Sequence, residues 1–251
     1  KCKLIGNVKG KKNWFYKLGE RARQGEPDYK YFKITAYDAA REGIISEKEI
    51  EQAKRDLPDY VFRELYLAEP ADDKSNPFGL DAIRKCYRPI SSMPVVAWGV
   101  DLAKYSDYTV IIGLDANNCV CFCERFQADW SVTQARIVKL IGNTPSFVDS
   151  TGVGDPIVEQ LQRLCQRVKG FKFTSQSKQQ LIEGLVMSVQ QTDVFFPEEP
   201  IGSEMENFEF EYTRTGVRYT APAGLHDDCV MALALAVDCK AHNRPGTFYF
   251  A

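Results

Sequence analysis

From Pro94 onward, short apolar runs alternate with helix-length segments, and this alternation constrains the fold more than any other feature of the chain. "PVVAWGVDLA" reads as a buried strand ending at Asp101, and "YTVIIGLDANNCVCFCERF" as a hairpin turning at Asn117-Asn118. "SVTQARIVKLIG" predicts a helix and "PSFVDS" a short strand ending at Asp149. "GDPIVEQLQRLCQR" predicts a second helix, with Asp155 and Pro156 suited to its start. "VKGFKF" then reads as a strand, "KQQLIEGLVMSVQQ" as a helix, "DVFFP" as a strand and "FEFEYTRTGVRYTAP" as a late hairpin. The last element, "GLHDDCVMALALAVD" at residues 224–238, is a helix apolar almost all the way round. This order implies an α/β domain, a mixed β-sheet flanked by helices.

The first 90 residues differ in style, setting a boundary between residues 1–90 and 91–251. "DYKYFKITAYDAA" has strand-like alternation, so this N-terminal part reads as an α/β segment. "SEKEIEQAKRDLP" is a helix: Ser46 with Glu49 three residues on forms a capping box, and Pro58 marks the stop. "PDYVFRELYLAEP" is a short amphipathic helix with Pro58 at its first turn, and "EPADDKSNPFG" a polar linker. The chain opens on Lys1 in mid-pattern, as expected of a piece of something longer.

With a formal net charge of −2 there is no global basic field, so any nucleic-acid site must be a local patch. The 8 Cys show no paired zinc-knuckle spacing, and Cys119, Cys121 and Cys123 alternate onto one strand face, where sheet packing accounts for them. Unpatterned Cys fit a reducing, cytosolic setting. No apolar run approaches the roughly 20 residues of a membrane span.

Acids sit where open α/β sheets carry their sites, at the carboxyl ends of strands. Asp101 and Asp149 each end a strand, and Asp227 and Asp228 start the last helix. Each alone has an ordinary role: a helix cap for Asp227 or Asp228, a turn for Asp101, an Asx-turn for Asp149. One cap does not need two acids, however, and like charges at one place repel unless neutralised. Carboxylate oxygens suit Mg²⁺ or Mn²⁺ better than zinc. Two such ions about 3.5–4 Å apart activate a water and stabilise the leaving oxygen of a phosphodiester.

"VVAWGVDLAKYSDYTVIIGLD", "FVDSTGVGDPIVEQL" and "GLHDDCVMALALA" together resemble the nuclease domain of the large terminase subunit of tailed bacteriophages. "YFKITAYDAAREGIISEKEIEQAKRDLPDYVFRELYLAEPADDKSNPFG" is similar to the stretch joining that family's motor to its nuclease, and "GNVKGKKNWFYKL" to the motor's late coupling motif. The resemblance implies an RNase H-like fold of resolvase and integrase type, with residues 1–90 the end of the ATPase motor and linker. It further implies a two-metal endonuclease cutting concatemeric DNA to 3′-hydroxyl and 5′-phosphate ends, with Mg²⁺ or Mn²⁺ as cofactor. Carried over, Asp101 bridges both ions while Asp149 and Asp228 each hold mainly one. Asp227 is an additional or alternative ligand, and Asp107 a further acid near the metal. His226 caps the helix or polarises the site. The implied partners are double-stranded DNA, with portal protein and small terminase subunit for the full-length protein, in the cytoplasm of an infected bacterium and with no membrane.

DNA contact is expected to run mainly to backbone phosphates. Lys169, Lys172 and Lys178 around "FKF", and Arg214 and Arg218 on the late hairpin, are the candidates, against ordinary solvated surface as the alternative. "GNVKGKK" is one residue short of a phosphate-binding loop, with Lys12 in place of the hydroxyl, so no ATP hydrolysis is expected. Three other classes remain in view. A sugar-kinase or actin-like ATPase needs two copies of the core and a glycine near the first Asp, where this chain has Ala103. A non-catalytic DNA or portal docking module would have lost acids. A resolvase or transposase has no reason to carry the first 90 residues.

Overall fold

In the computed structural model the described residues are 2–7, 14–70, 76–102, 108–152, 154–213, 216–222 and 225–243. They divide into two units, Lys1–Pro77 with Glu209–Arg218, and Phe78–Phe208 with Tyr219–Ala251.

In the second unit a five-stranded sheet is built from β1 (Ala97–Asp101), β2 (Thr109–Leu114), β3 (Val120–Phe126), β4 (Ser146–Asp149) and β5 (Val168–Phe171), in the order β3-β2-β1-β4-β5. β3, β2 and β1 run antiparallel, whereas β1, β4 and β5 run parallel. The hairpin turns at Asn118, which takes a positive φ of 59° that Asn tolerates. Side chains alternate across a strand, so residue parity decides which layer each meets. Trp98, Val100, Ile111 and Val148 face α6 (Trp130–Ile141) and α7 (Gly154–Leu164), closing a core with Ile137, Ile141, Val158 and Leu161. Gly99, Asp101, Phe147 and Asp149, of the opposite parity on β1 and β4, belong to the other face.

That other face is covered by α10 (Asp228–His242), which packs on β1 and β2 and against α8 (Ser175–Gln190). A helix apolar on every side needs neighbours on every side, and α10 is buried from Asp228 through Ala236. Its close approach depends on Gly99: a Cβ there would stand 2.0 Å from the Ala232 carbonyl oxygen. α8 starts at Thr174, whose hydroxyl accepts the Ser177 amide in a capping box. α5 (Leu80–Lys85) packs beneath α8, and α9 (Ser203–Glu206) follows a turn at Glu198–Gly202. "DVFFP" does not form a full strand; it contributes isolated bridges, Cys119 to Phe195 and Tyr87 to Phe196.

The first unit holds α1 (Trp14–Arg23), α2 (Ala36–Arg41), α3 (Glu47–Asp56) and α4 (Asp59–Leu67), with α2, α3 and α4 packed together. α3 carries the expected capping box, Ser46 accepting the Glu49 amide while Glu49 accepts the Ser46 amide. α4 begins at Asp59, just after Pro58. The strand read in residues 28–40 is not there: Thr35 instead forms a second capping box with Asp38 and starts α2. Two local signals competed, and the side-chain caps prevailed over an alternation that has no partner strand to pair with. β6 (Glu209–Thr213) and β7 (Gly216–Thr220) form the late hairpin. Val8–Asn13 of the glycine-lysine stretch, and residues 71–75 of the linker, lie outside the described residues. No described helix is long and apolar enough to cross a membrane.

Candidate active site

β1 and β4 are parallel neighbours in register, Val100 opposite Val148, so one residue further on Asp101 and Asp149 leave the same ends of adjacent strands on the same face. Helix α10 covers that face and brings Asp227 and Asp228 at its N-terminus. The four acids therefore interact: burial first, then the charges of Asp149, Asp228 and Asp227, push the Asp101 carboxyl well above the ordinary carboxylate range, with Lys178 pulling the other way. Asp101 retains some solvent exposure at the strand end, while Asp149 is 2% and Asp228 7% exposed.

The simple capping roles are partly filled. Asp149 accepts the Thr151 amide at 2.8 Å, the Asx-turn that "DST" suggests. Asp227 occupies the N-cap position of α10, but its side chain makes no capping hydrogen bond and pairs instead with Lys178 Nζ at 3.4 Å. His226 precedes the cap rather than providing it; its Nδ1 lies 3.4 Å from Asp228 and its ring meets Tyr108 edge-on. The amide of Cys229, next in α10, donates to Glu204 at 2.7 Å, so a carboxylate remote in sequence serves the helix start. Arg125 from β3 donates to that same Glu204 at 3.0 Å, approaches Asp228 at 3.7 Å and lies 4.0 Å over the Tyr108 ring. Sequence reasoning missed Glu204 and Arg125, and no local pattern marks either one.

Among the described residues, five carboxylates (Asp101, Asp149, Asp227, Asp228 and Glu204) thus share this region, and Arg125 and Lys178 are cations that they contact or feel. The donor set is hard oxygen, and its negative excess suits a divalent cation of the Mg²⁺ or Mn²⁺ type. As they stand, no three His, Cys, Asp or Glu groups among the described residues are gathered closely enough to hold an ion. Asp107 lies outside the described residues.

Of the candidate phosphate contacts, Lys169 and Lys172 are exposed on and just after β5, whereas Lys178 is committed to Asp227. Arg218 is exposed in the first unit, and Arg214 lies outside the described residues. Two of the three alternating cysteines have thiol hydrogen bonds: Cys121 donates to the Gly113 carbonyl, and Cys123 accepts the Cys229 thiol. That donation holds the Cys123 pKa down and pushes the Cys229 pKa up.

A β3-β2-β1-β4-β5 sheet with acids ending β1 and β4, and more acids on the helix laid across them, is the RNase H-like nuclease class of α/β fold. No protein-family model and no curated protein matches the chain. Among solved structures, the large terminase nuclease from thermophilic phage G20c with bound magnesium is 33% identical over 61% of this chain and 83% of that one, with a TM-score of 0.53. The same nuclease with bound cobalt is 31% identical over 59% of this chain and 83% of that one, with a TM-score of 0.52. The large terminase nuclease domain of Thermus phage P74-26 is 25% identical over 62% of this chain and 92% of that one, TM-score 0.53. The large terminase of a further thermophilic bacteriophage shares the fold at 12% identity, covering 92% of this chain and 60% of that one, TM-score 0.65. The chain belongs to the large terminase family and carries its nuclease domain.

Proposed function

We propose that this nuclease is a metal-dependent DNA endonuclease that cuts concatemeric viral DNA during packaging. The observation that carries the proposal is Asp101, partly buried and within the charge field of Asp149, Asp227 and Asp228 at the carboxyl ends of β1 and β4. Asp101, Asp149 and Asp228 are the catalytic, ion-holding groups, with Asp227 an additional ligand once it parts from Lys178. One or two Mg²⁺ or Mn²⁺ ions bound there would polarise the phosphodiester and make a bound water acidic enough to attack. The protein's part is to hold the carboxylates in fixed positions and shield the reaction on the α10 side with a dry core, while a bound cation would favour the charged form of Asp101 that its neighbours oppose. Lys178 supplies positive charge at the rim, where it neutralises Asp227 or, when released, meets a phosphate.

Lys169 and Lys172, whose exposure supports the reading, would contact the DNA backbone, a sequence-independent attraction that packaging termination requires. In this reading residues 1–90 are the end of the ATPase motor and its linker and residues 91–251 the nuclease. The DNA is double-stranded, the full-length protein meets portal and small terminase subunit, and the setting is the cytoplasm of the infected bacterium.

The test is incubation of supercoiled plasmid with the protein in Mn²⁺, Mg²⁺, Ca²⁺ or EDTA, beside Asp101→Ala. Nicking with Mn²⁺ or Mg²⁺ that disappears in EDTA and in the variant is the expected result. Cleavage by Asp101→Ala at the wild-type rate would remove Asp101 from the mechanism.

A further inference from the structure

We propose, resting on that nuclease reading, that Glu204 is a positioning residue that draws Arg125 toward itself, leaving it only a longer ion pair with Asp228, and so lets a divalent cation compete for the Asp228 carboxylate. Arg125 stands between two buried carboxylates, Glu204 at 8% and Asp228 at 7% exposure. It serves the nearer: Arg125 Nη1 donates to Glu204 Oε1 at 3.0 Å, whereas Nη2 comes only to 3.7 Å from Asp228 Oδ2. The guanidinium is further fixed by the Tyr108 ring 4.0 Å beneath it. Glu204 is itself fixed, because its second oxygen, Oε2, accepts the Cys229 amide at 2.7 Å. With one oxygen on Arg125 and the other on the helix backbone, Glu204 is a strut and not a ligand.

The consequence follows from charge. A planar guanidinium that meets a buried carboxylate squarely forms a strong, charge-assisted pair and would compete with any cation for it. Neutralising Glu204 leaves Asp228 as the nearest carboxylate for Arg125 among the described residues, and the 3.7 Å approach closes. Removing Arg125 has no such effect, since Asp228 keeps His226 at 3.4 Å and gains no new cation. The two members of one ion pair thus have opposite effects on metal binding, which a purely structural role does not produce.

The experiment is Mn²⁺ titration of the full chain, followed by the electron paramagnetic resonance signal of free Mn²⁺. It compares wild type, Glu204→Gln, Arg125→Gln, the double variant and Asp228→Asn, with melting temperatures alongside. Glu204→Gln keeps an oxygen for the Cys229 amide, so the helix start survives. Its Mn²⁺ affinity is expected to fall about 10-fold, as is usual when a group supporting a metal ligand is lost. Arg125→Gln is expected to bind at least as tightly as wild type, and the double variant to recover wild-type affinity. Unchanged affinity in Glu204→Gln, or a double variant weaker than either single one, overturns the inference. If wild type binds Mn²⁺ and Asp228→Asn does not, the nuclease reading stands whatever Glu204→Gln does. If wild type binds none, or Asp228→Asn binds like wild type, the metal-site reading falls and takes this inference with it.

Discussion

Adding a single methyl group at Gly99 tests how the acids come together. Gly99 lies two residues before Asp101 on β1, where α10 rests on the strand. A Cβ built there stands 2.0 Å from the Ala232 carbonyl oxygen and 2.3 Å from the Ala236 nitrogen. Both are helix backbone atoms, so no side chain can turn aside to relieve the clash, and α10 must withdraw by more than an ångström. Overpacking of this kind costs about 1–3 kcal/mol, and a backbone clash belongs at the upper end. For a domain of this size that corresponds to a fall of about 6–12 °C in melting temperature. The same withdrawal moves Asp228 away from Asp101, and a misplacement near an ångström lowers a rate by about 10²-fold. The control is Gly184→Ala on the exposed side of α8, where an added Cβ meets nothing within 4 Å. There the better helix propensity of Ala should stabilise by about 0.8–1 kcal/mol. Thermal melts and plasmid nicking on both variants read out the pair. A Gly99→Ala protein that melts and cleaves like wild type would refute the claim that helix–strand contact at this glycine sets the site.

Two further expectations concern charge. Lys240 near the end of α10 donates to the Asp115 and Ala116 carbonyls at 2.7 and 2.8 Å and to the Asn118 side chain, tying the β2–β3 turn to the helix. Lys240→Met should therefore cost about 1–3 kcal/mol in chemical denaturation, and a loss below about 0.5 kcal/mol would count against the tie. Asp101, with its pKa raised first by burial and then by the neighbouring acids, holds a proton more readily folded than unfolded. Without added metal, stability should then fall as pH climbs from the ordinary carboxylate range through the folded pKa, and stay lowered above it. Asp101→Asn should accordingly melt higher than wild type at neutral pH without metal, converge with it in acid, and lose cleavage to background. A variant less stable than wild type at pH 7 would refute the sign.

Local chemistry was legible directly. The strand ends at Asp101 and Asp149, the turn at Asn118 and the Ser46–Glu49 box all depend on residues within a few positions of each other, where periodicity and capping act. That both strand-end carboxylates leave one face follows from the parallel pairing of β1 with β4, which the structure supplies. Local rules misled where they competed or needed a distant partner: Thr35 started a helix at Ala36 inside the stretch read as a strand, and "DVFFP" found bridges rather than a full ladder. Only the tertiary structure decided how the helix start is held. Asp227 has the N-cap position and ignores it, while Glu204, separated by 25 residues from Cys229 and by 79 from Arg125, serves both. Such a contact carries no sequence period, because it exists only once a helix and a strand have been packed across a glycine that lets their backbones meet.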